Sequence, residues 1–521
     1  MRQKEIAKRF LTIPFLMLIF IFVALGLVAQ AAAPGEVVVD CRKPLGDAAA
    51  ISDFLGAGGG LEGPMTDSKN PVVKAWTDLK FRHVTFEQLH NEDPANRWLT
   101  VSRRPDGKIA IDFSDFDRRI GQVVRNLKSR PFIYLGNIPR ALSSRPKDPN
   151  YAVYAPLDIR EWSDFVAQIA HRLVNKHGLK GLYYHCMGEP DHIDSWKGNG
   201  SPNPQELLKE HVAFYAATYA GVKSVDPSAL VGGPATMNWQ KTKWTQEAPF
   251  ELKDWIAALA RHNAALPAAR RAGLDFISWQ DYAWSSERLT DSAEAVSQML
   301  AEYGFNPATP KVLGGSGWGS WSSDYIADEL KPHHRASHLL HNVIREFKDP
   351  RRRLFRLALY YNFFYDDANM QALEYHYDNT LVRRVSLVRT RWDEKPFFTP
   401  IYAAFQMVAA MASGKIVQTS APEPLETMAT HTKDGSIVAV INNHTNESVS
   451  TVVVFNGLPF DTPKLNRSLA CIDESASDYG RGLQEAVWEE MAIQNGSVRV
   501  PLILPAYGSA QISLWPAYPQ K

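Results

Sequence analysis

The chain has 521 residues, of which 45% are apolar and 22% charged, and its formal net charge is +1. This length exceeds an ordinary single domain but fits a barrel of about 250 to 400 residues with a smaller partner domain. The composition excludes a disordered protein, and the balanced charge offers no field for nucleic acid or anionic lipid. Three cysteines without metal-ligand spacing exclude a disulfide framework. We therefore expect a globular protein with a neutral partner and no metal or organic cofactor.

Residues 1–33 have the pattern of an export signal. Basic residues precede an apolar run over residues 11–28, and Ala29 and Ala31 suit a small-residue cleavage site. The run is also nearly long enough to span a bilayer, which leaves two alternatives. A cleaved signal predicts a secreted or periplasmic protein, whereas an uncleaved anchor predicts a membrane-attached protein with its body outside the cytoplasm. Cleavage would remove four basic residues and one acidic residue, which moves the net charge from +1 to −2.

Between residues 50 and 365, short apolar runs alternate with helical patterns, as in a parallel sheet with crossover helices. Helices are predicted from Ser114, taken as the N-cap, over 159–177 before Gly178, and over 204–225. One strand is predicted near 51–61, and seven more begin at Leu79, Pro131, Gly181, Ala229, Leu274, Lys311 and Leu354. Eight such units predict a (β/α)8 TIM barrel over residues 46–412.

The pattern changes after about residue 412. Short alternating strands separated by turn residues, such as GSIVAVI, VSTVVVF and GSAQISLW, predict a β-sandwich over residues 413–521. The stretch GEVVVD near Gly35 reads as a strand without a following helix. We therefore predict that residues 34–45 add an edge strand to the C-terminal domain.

The stretch GLYYHCMGEPDH, residues 181–192, runs an apolar strand directly into Glu189 and Pro190. Active sites of (β/α)8 barrels lie at the carboxyl ends of the strands, where Glu189 would stand. Pro190 predicts an extended backbone at Glu189, which would fix the direction of the carboxylate. The alternative is a surface acid in a loop. We predict that Glu189 is a catalytic acid/base.

Glycoside cleavage needs one acid to protonate the leaving oxygen and a second carboxylate, about 5 Å away in retaining enzymes. Aromatic rings would stack on sugar faces, although core packing is the alternative for each ring. The candidates follow the fifth to seventh strands and are Trp239, Trp244, Trp279, Tyr282, Trp284, Trp318 and Trp321. Five further polar residues have weaker claims to sugar contact, with a buried ion pair or a solvated loop as alternatives; they are Arg82, His83, Glu62, Asp191 and His192.

Four stretches in sequence order carry a family resemblance. They are IDFSDFDRRIGQVVRNLKSRPFIYLGNIPRAL (111–142), HVAFYAATYAGVKSVDPSALVGGPATMN (211–238), LDFISWQDYAW (274–284) and DEKPFFTPIYAAFQMV (393–408). With a Glu-Pro pair between the first two, the chain resembles glycoside hydrolase family 39 over most of residues 75–412. That family includes β-xylosidases, α-L-iduronidases and bacterial exopolysaccharide hydrolases.

The resemblance implies a retaining hydrolase with an Asn-Glu acid/base motif after the fourth strand and a nucleophilic Glu after the seventh. Glu189 matches the acid/base, but Gly188 replaces the Asn whose amide holds the sugar 2-hydroxyl in the family. Alignment through Trp318 places Gly317 at the nucleophile, and no carboxylate lies between Pro310 and Ser323. In the sixth strand, Gln280 stands where a His is usual.

A glycine has no side chain with which to form a covalent glycosyl intermediate. Three interpretations remain open. In the first, Glu189 acts as the acid while a displaced carboxylate, Asp281, Asp324 or Glu92, activates water. In the second, catalysis is lost and the barrel binds polysaccharide in an exopolysaccharide pathway. In the third, Gly317 is a recent or engineered change in an active enzyme.

Overall fold

The structure is a computed structural model. It describes residues 35–59, 61, 63–85, 89, 98–192, 194–241, 246–281, 286–318, 332–348, 353–361, 363–366, 388–390, 396–475, 483 and 487–517.

After strand β1 (Glu36–Asp47), eight parallel strands form a closed barrel, as the sequence predicts. They are β2 (Leu55–Gly58), β3 (His83–Thr85), β6 (Arg130–Tyr134), β7 (Tyr183–His185), β8 (Leu230–Thr236), β9 (Phe276–Asp281), β10 (Lys311–Trp318) and β11 (Phe355–Tyr361). The order of neighbours is β10-β11-β2-β3-β6-β7-β8-β9. Strands β4 (Thr100–Arg103) and β5 (Ile109–Asp112) form a separate antiparallel hairpin between β3 and β6.

Helix α1 (Ala49–Phe54) precedes the barrel, and each barrel strand is followed by a helix. These are α2 (Pro71–Asp78), α3 (Ser114–Arg125), α4 (Ile159–His177), α5 (Pro204–Val225), α6 (Leu252–Ala264), α7 (Ser286–Glu302), α8 (Pro332–Lys348) and α9 (Pro400–Met411). The bounds of α4 and α5 are those predicted, because Asp158 and Asn203 cap their first turns. Ser114 is the first residue of α3 rather than its cap, since its N–H and hydroxyl both donate to Asp112.

Side chains alternate between the two faces of the barrel wall, as the two-residue period of a strand requires. The inward-facing residues form one apolar cluster inside the barrel, which consists of Phe132, Tyr183, Phe276, Val312, Leu357 and Leu359. Their neighbours Ile133, Tyr184 and Ile277 belong to the larger core between the barrel and its helices. The interior is therefore packed, and a ligand can enter only at an end of the barrel.

Beyond a small sheet of β12 (Phe364–Asp366), β13 (Val388–Thr390) and β14 (Pro396–Phe398), the chain forms the expected C-terminal β-domain. Its strands are β15 (Lys415–Ser420), β16 (Leu425–His431), β17 (Ile437–Asn443), β18 (Val449–Asn456), β19 (Lys464–Ile472), β20 (Val487–Ala492), β21 (Ser497–Leu504) and β22 (Ser509–Pro516). With β1 they make a nine-stranded sheet in the order β20-β19-β22-β17-β16-β15-β1-β18-β21. The prediction that this segment forms an edge strand is wrong, because β1 pairs on both sides, with β15 and with β18.

Among the helices that the structure describes, none has both the length and the apolar character needed to span a bilayer. Residues 1–33, which the sequence predicts to be an export signal or an anchor, lie outside the described residues.

Candidate active site

Glu189 lies just beyond the carboxyl end of β7 and is half-buried. Its backbone φ is +49°, so the extended conformation predicted from Pro190 is wrong. A turn explains the difference. The N–H of Glu189 donates to the carbonyl oxygen of Ala235 at 2.9 Å, and the carbonyl oxygen of Glu189 accepts the N–H of His192 at 2.9 Å. The turn therefore fixes the position of the carboxylate at the barrel mouth, although by a different conformation from the expected one.

Gln280 holds the carboxylate of Glu189. It lies near the carboxyl end of β9, is 1% exposed, and its Nε2 donates to Oε1 of Glu189 at 2.8 Å. Phe276, Ser278 and Gln280 alternate along β9 on the inward side, so the last of them reaches the mouth. Two residues that the sequence singled out separately, from different strands, are thus brought into contact.

Asp191 lies in the turn that carries Glu189, and from the sequence it had only a weak claim to the site. It is 2% exposed, so the solvated-loop alternative is wrong, and both carboxylate oxygens accept the N–H of Met237, at 3.0 and 3.1 Å. Burial, together with the nearby charge of Glu189, raises the pKa of Asp191 to about 7. Asp191 thereby ties the turn that carries Glu189 to the chain leaving β8. Nothing in the sequence marks Met237 as its partner.

Trp279 is not a sugar platform. Its side chain is fully buried in the core between barrel and helices, with its ring centroid 5.6 Å from that of Phe355. The prediction failed because Trp279 and Gln280 are adjacent in one strand and must face opposite sides. Trp239, in contrast, is half-buried and follows the carboxyl end of β8, the same side of the barrel as Glu189.

Arg82 and His83 lie at the other end of the barrel, contrary to the prediction. His83 is the first residue of β3 and pairs with Arg130, the first residue of β6. Arg82 forms an ion pair with Asp53, but its side chain is 54% exposed, so the pair is not the buried one that the sequence offered as an alternative. Burial lowers the pKa of His83 to about 4. These side chains belong to the structure of the amino end and not to the candidate site.

Gly317, the residue that the family resemblance aligns with the nucleophile, lies in an irregular part of β10. Leu313 pairs with Trp279 and Trp318 pairs with Asp281, so Gly317 lies in a bulge where β10 has more residues than β9. The backbone of Asp281 thus stands opposite Trp318. The side chains of Trp318 and Asp281 lie outside the described part of the structure, as do the whole residues Glu62, Glu92, Tyr282, Trp244, Trp284, Trp321 and Asp324.

Gly188 is buried immediately before Glu189, and the hydroxyl of Tyr134 occupies the space beside it. A Cβ atom at residue 188 would lie 1.7 Å from Tyr134 Oη. No set of three or more His, Cys, Asp or Glu residues in the described ranges is arranged to hold a metal ion. The polar groups described next to one another here include the carboxylate of Glu189, the amide of Gln280 and the hydroxyl of Tyr134.

A closed parallel barrel with a fixed carboxylate at its carboxyl end, followed in the chain by a β-domain, defines a (β/α)8 barrel protein with a candidate acid/base site. The sequence pattern of glycosyl hydrolases family 39 matches residues 64–451. Because this match covers most of the chain, the protein belongs to family 39.

Two relatives are β-xylosidases. The one from Geobacillus stearothermophilus is 28% identical over 210 residues, which are 39% of this chain and 37% of the relative. The one from Caldicellulosiruptor saccharolyticus is 25% identical over 177 residues, which are 33% of this chain and 34% of the relative. The matched parts thus span little more than a third of these relatives.

Solved structures share the fold at low identity. The GH39 enzyme from Xanthomonas axonopodis pv. citri is 14% identical with a TM-score of 0.68, over 94% of this chain and 98% of that one. A monomeric β-xylosidase from Caulobacter crescentus is 15% identical with a TM-score of 0.67, over 94% of this chain and 100% of that one.

Proposed function

We propose that the protein is an exported glycosidase in which Glu189 protonates the glycosidic oxygen of a polysaccharide or oligosaccharide. The observation that carries this proposal is the position of Glu189, which is half-buried at the barrel mouth and held by Gln280. A carboxylic acid so placed can give its proton to the leaving oxygen as the bond to the anomeric carbon breaks.

We propose that the second carboxylate is one of the three displaced candidates, Asp281, Asp324 or Glu92. In this mechanism a water adds to the anomeric carbon and gives a proton to that carboxylate, while Glu189 protonates the leaving group. The product would have inverted configuration, because no covalent intermediate forms.

The first sugar to test is a β-xyloside. Both relatives described above are β-xylosidases, and the match to them covers part of the chain only. An exopolysaccharide is the second class, since the N-terminal segment has the pattern of an export signal. On this proposal the protein acts outside the cytoplasm, either free or attached through residues 1–33.

A glycan-binding protein without catalysis is the second candidate. It is favoured by the absence of a carboxylate from Pro310 to Ser323, the stretch in which the family resemblance implies the nucleophile. The half-buried Trp239 would then serve a cleft that holds a glycan without cleaving it.

One experiment separates the two candidates. Native protein, Glu189→Gln and Gly317→Glu are incubated with para-nitrophenyl glycosides, including the β-D-xylopyranoside, and with bacterial exopolysaccharides. Glutamine at 189 keeps the side-chain shape and an oxygen that can accept from Gln280, so Glu189→Gln is a matched control for folding. Calorimetry with the same compounds records binding where no cleavage occurs.

The glycosidase proposal expects cleavage by the native protein and a loss of at least a hundredfold in Glu189→Gln. An inert native protein that binds glycans, together with activity gained by Gly317→Glu, would instead establish the binding protein. Full activity of Glu189→Gln would contradict the role given to Glu189.

A further inference from the structure

Tyr134 is an inward-facing residue at the carboxyl end of β6. It follows Phe132 by two positions, and Phe132 belongs to the cluster inside the barrel. Tyr134 is half-buried, whereas Phe132 is 1% exposed. Since a closed barrel admits solvent only at its ends, the exposed part of Tyr134 belongs to the mouth, where Glu189 lies.

The ring of Tyr134 is supported from inside the barrel. It stacks on the buried ring of His185, with centroids 5.4 Å apart and 16° between the planes. His185 is in turn held by Ser278, whose Oγ lies 2.9 Å from Nε2. The ring of Tyr134 therefore has a rigid support in the layer directly below the mouth, and its hydroxyl is directed along a defined line.

The hydroxyl of Tyr134 lies against Gly188. A Cβ atom added at residue 188 would lie 1.7 Å from Oη and 2.8 Å from Cζ of Tyr134, so any side chain there would have to displace the phenol. Gly188 is thus required by the position of Tyr134, and the hydroxyl takes the volume that a side chain at residue 188 would fill. Residue 188 directly precedes Glu189 in the chain.

We propose that the hydroxyl of Tyr134 binds a hydroxyl group of the sugar whose glycosidic bond lies at Glu189, and so positions that sugar. A phenol can both donate to and accept from a sugar hydroxyl, which matches a neutral polyhydroxylated ligand. The proposal rests on the proposed function, because it needs a sugar at the mouth. Tyr134 is a positioning residue, with no role in proton transfer to the leaving group.

The test uses Tyr134→Phe, which keeps the ring on His185 and removes only the hydroxyl. The values of kcat/KM, and calorimetric affinities if cleavage is absent, are measured with para-nitrophenyl β-D-xylopyranoside and its monodeoxy analogues. Native protein should lose about tenfold with one analogue, the one that lacks the contacted hydroxyl. Tyr134→Phe should lose about tenfold with the parent compound and show almost no further loss with that analogue.

Gly188→Ala supplies an independent arm. The added Cβ must push the phenol aside, so it should reduce kcat/KM or affinity for the parent compound and erase the same analogue's penalty. The penalties for the other monodeoxy analogues should stay at their native values in both variants. A general structural defect would change all of the penalties together.

The outcomes separate the two proposals. If the native protein binds or cleaves the xyloside and Tyr134→Phe retains every native penalty, the role of Tyr134 is overturned and the proposed function stands. If the native protein neither binds nor cleaves these compounds or the glycan panel above, both proposals fail. Loss of one penalty alone in Tyr134→Phe supports both.

Discussion

Glu189 has a left-handed backbone, a conformation that a non-glycine residue adopts only when its surroundings impose it. The bonds from Glu189 to Ala235 and from His192 to Glu189 impose it here. Ala235, which accepts the first of these bonds, has φ +53° and is itself left-handed. Strain at two facing residues, each next to the mouth, is typical of sites where the direction of a side chain matters.

Substitution of Trp279, which lies in β9, and of Trp239, which follows β8, should have different effects on stability and on binding. Trp279→Ala should lower the free energy of unfolding by about 3 to 5 kcal/mol, because a fully buried indole leaves a cavity. Trp239→Ala should cost less than half as much, since Trp239 is half-buried, but should weaken glycan binding. Urea unfolding and calorimetry with the glycan panel check both variants. Equal stability losses, with no change in binding for Trp239→Ala, would contradict the assignment.

At the scale of elements, the site is made by the segments that leave β7, β8 and β9. The turn after β7 carries Glu189, and β9 supplies Gln280. Ala235 of β8 accepts one bond from this turn, and Met237, just after β8, donates another. Asp191 links the turn to the chain after β8, because its carboxylate accepts the N–H of Met237. Parallel strands bring these segments to one end of the barrel although they lie far apart in the sequence.

Substitution of Asp191 can remove the hydrogen bond between its carboxylate and the N–H of Met237. Asp191→Ala leaves the buried N–H of Met237 without an acceptor and should reduce kcat/KM about tenfold or more, because the turn carrying Glu189 loosens. Asp191→Asn keeps one oxygen acceptor and should reduce kcat/KM less than threefold. Steady-state kinetics on both variants provide the test. Equal losses in the two variants would show that the charge, and not the hydrogen bond, is what matters, because both substitutions remove the charge.

For the whole molecule, buried titratable groups set the response to pH. Burial lowers the pKa of His83 and His444 to about 4, and of His185 and His211 to about 3. The stability that depends on these neutral rings is present above their ordinary pKa of 6.5 and is lost as the pH falls towards 4. Burial also raises the pKa of Asp191 and of Glu346 to about 7. Their contribution is complete below about pH 4 and is lost as the pH rises through 7, so it has the opposite sign.

Between pH 7 and pH 5, the stability lost through the four histidines exceeds the stability gained through the two carboxyl groups. The free energy of unfolding should therefore fall by about 3 kcal/mol over this range, as measured by urea unfolding. Asp191→Asn removes one opposing group and should make the fall steeper. A native protein that becomes more stable from pH 7 to pH 5 would refute this account of the buried histidines.

The sequence was sufficient for the barrel because hydrophobic period and length define each strand and helix locally, as α4 shows by matching its predicted bounds. It also placed Glu189 after β7 and singled out Gln280. It failed where a property depends on a partner far along the chain. The conformation of Glu189 is set by Ala235, the burial of Asp191 by Met237, and the need for Gly188 by Tyr134. Trp279 is different, since its two-residue spacing from Ile277 indicated the outward side without any structure.

The central claim is that Glu189 gives its proton to the leaving group. The most direct test measures kcat/KM for native protein and Glu189→Gln on a series of aryl β-D-xylopyranosides whose phenols have increasing pKa. A poor leaving group needs the proton more than a good one, so the ratio of native to variant kcat/KM should rise steadily with the pKa of the phenol. A ratio that is the same for every phenol, or a native protein that cleaves none of them, would contradict the claim.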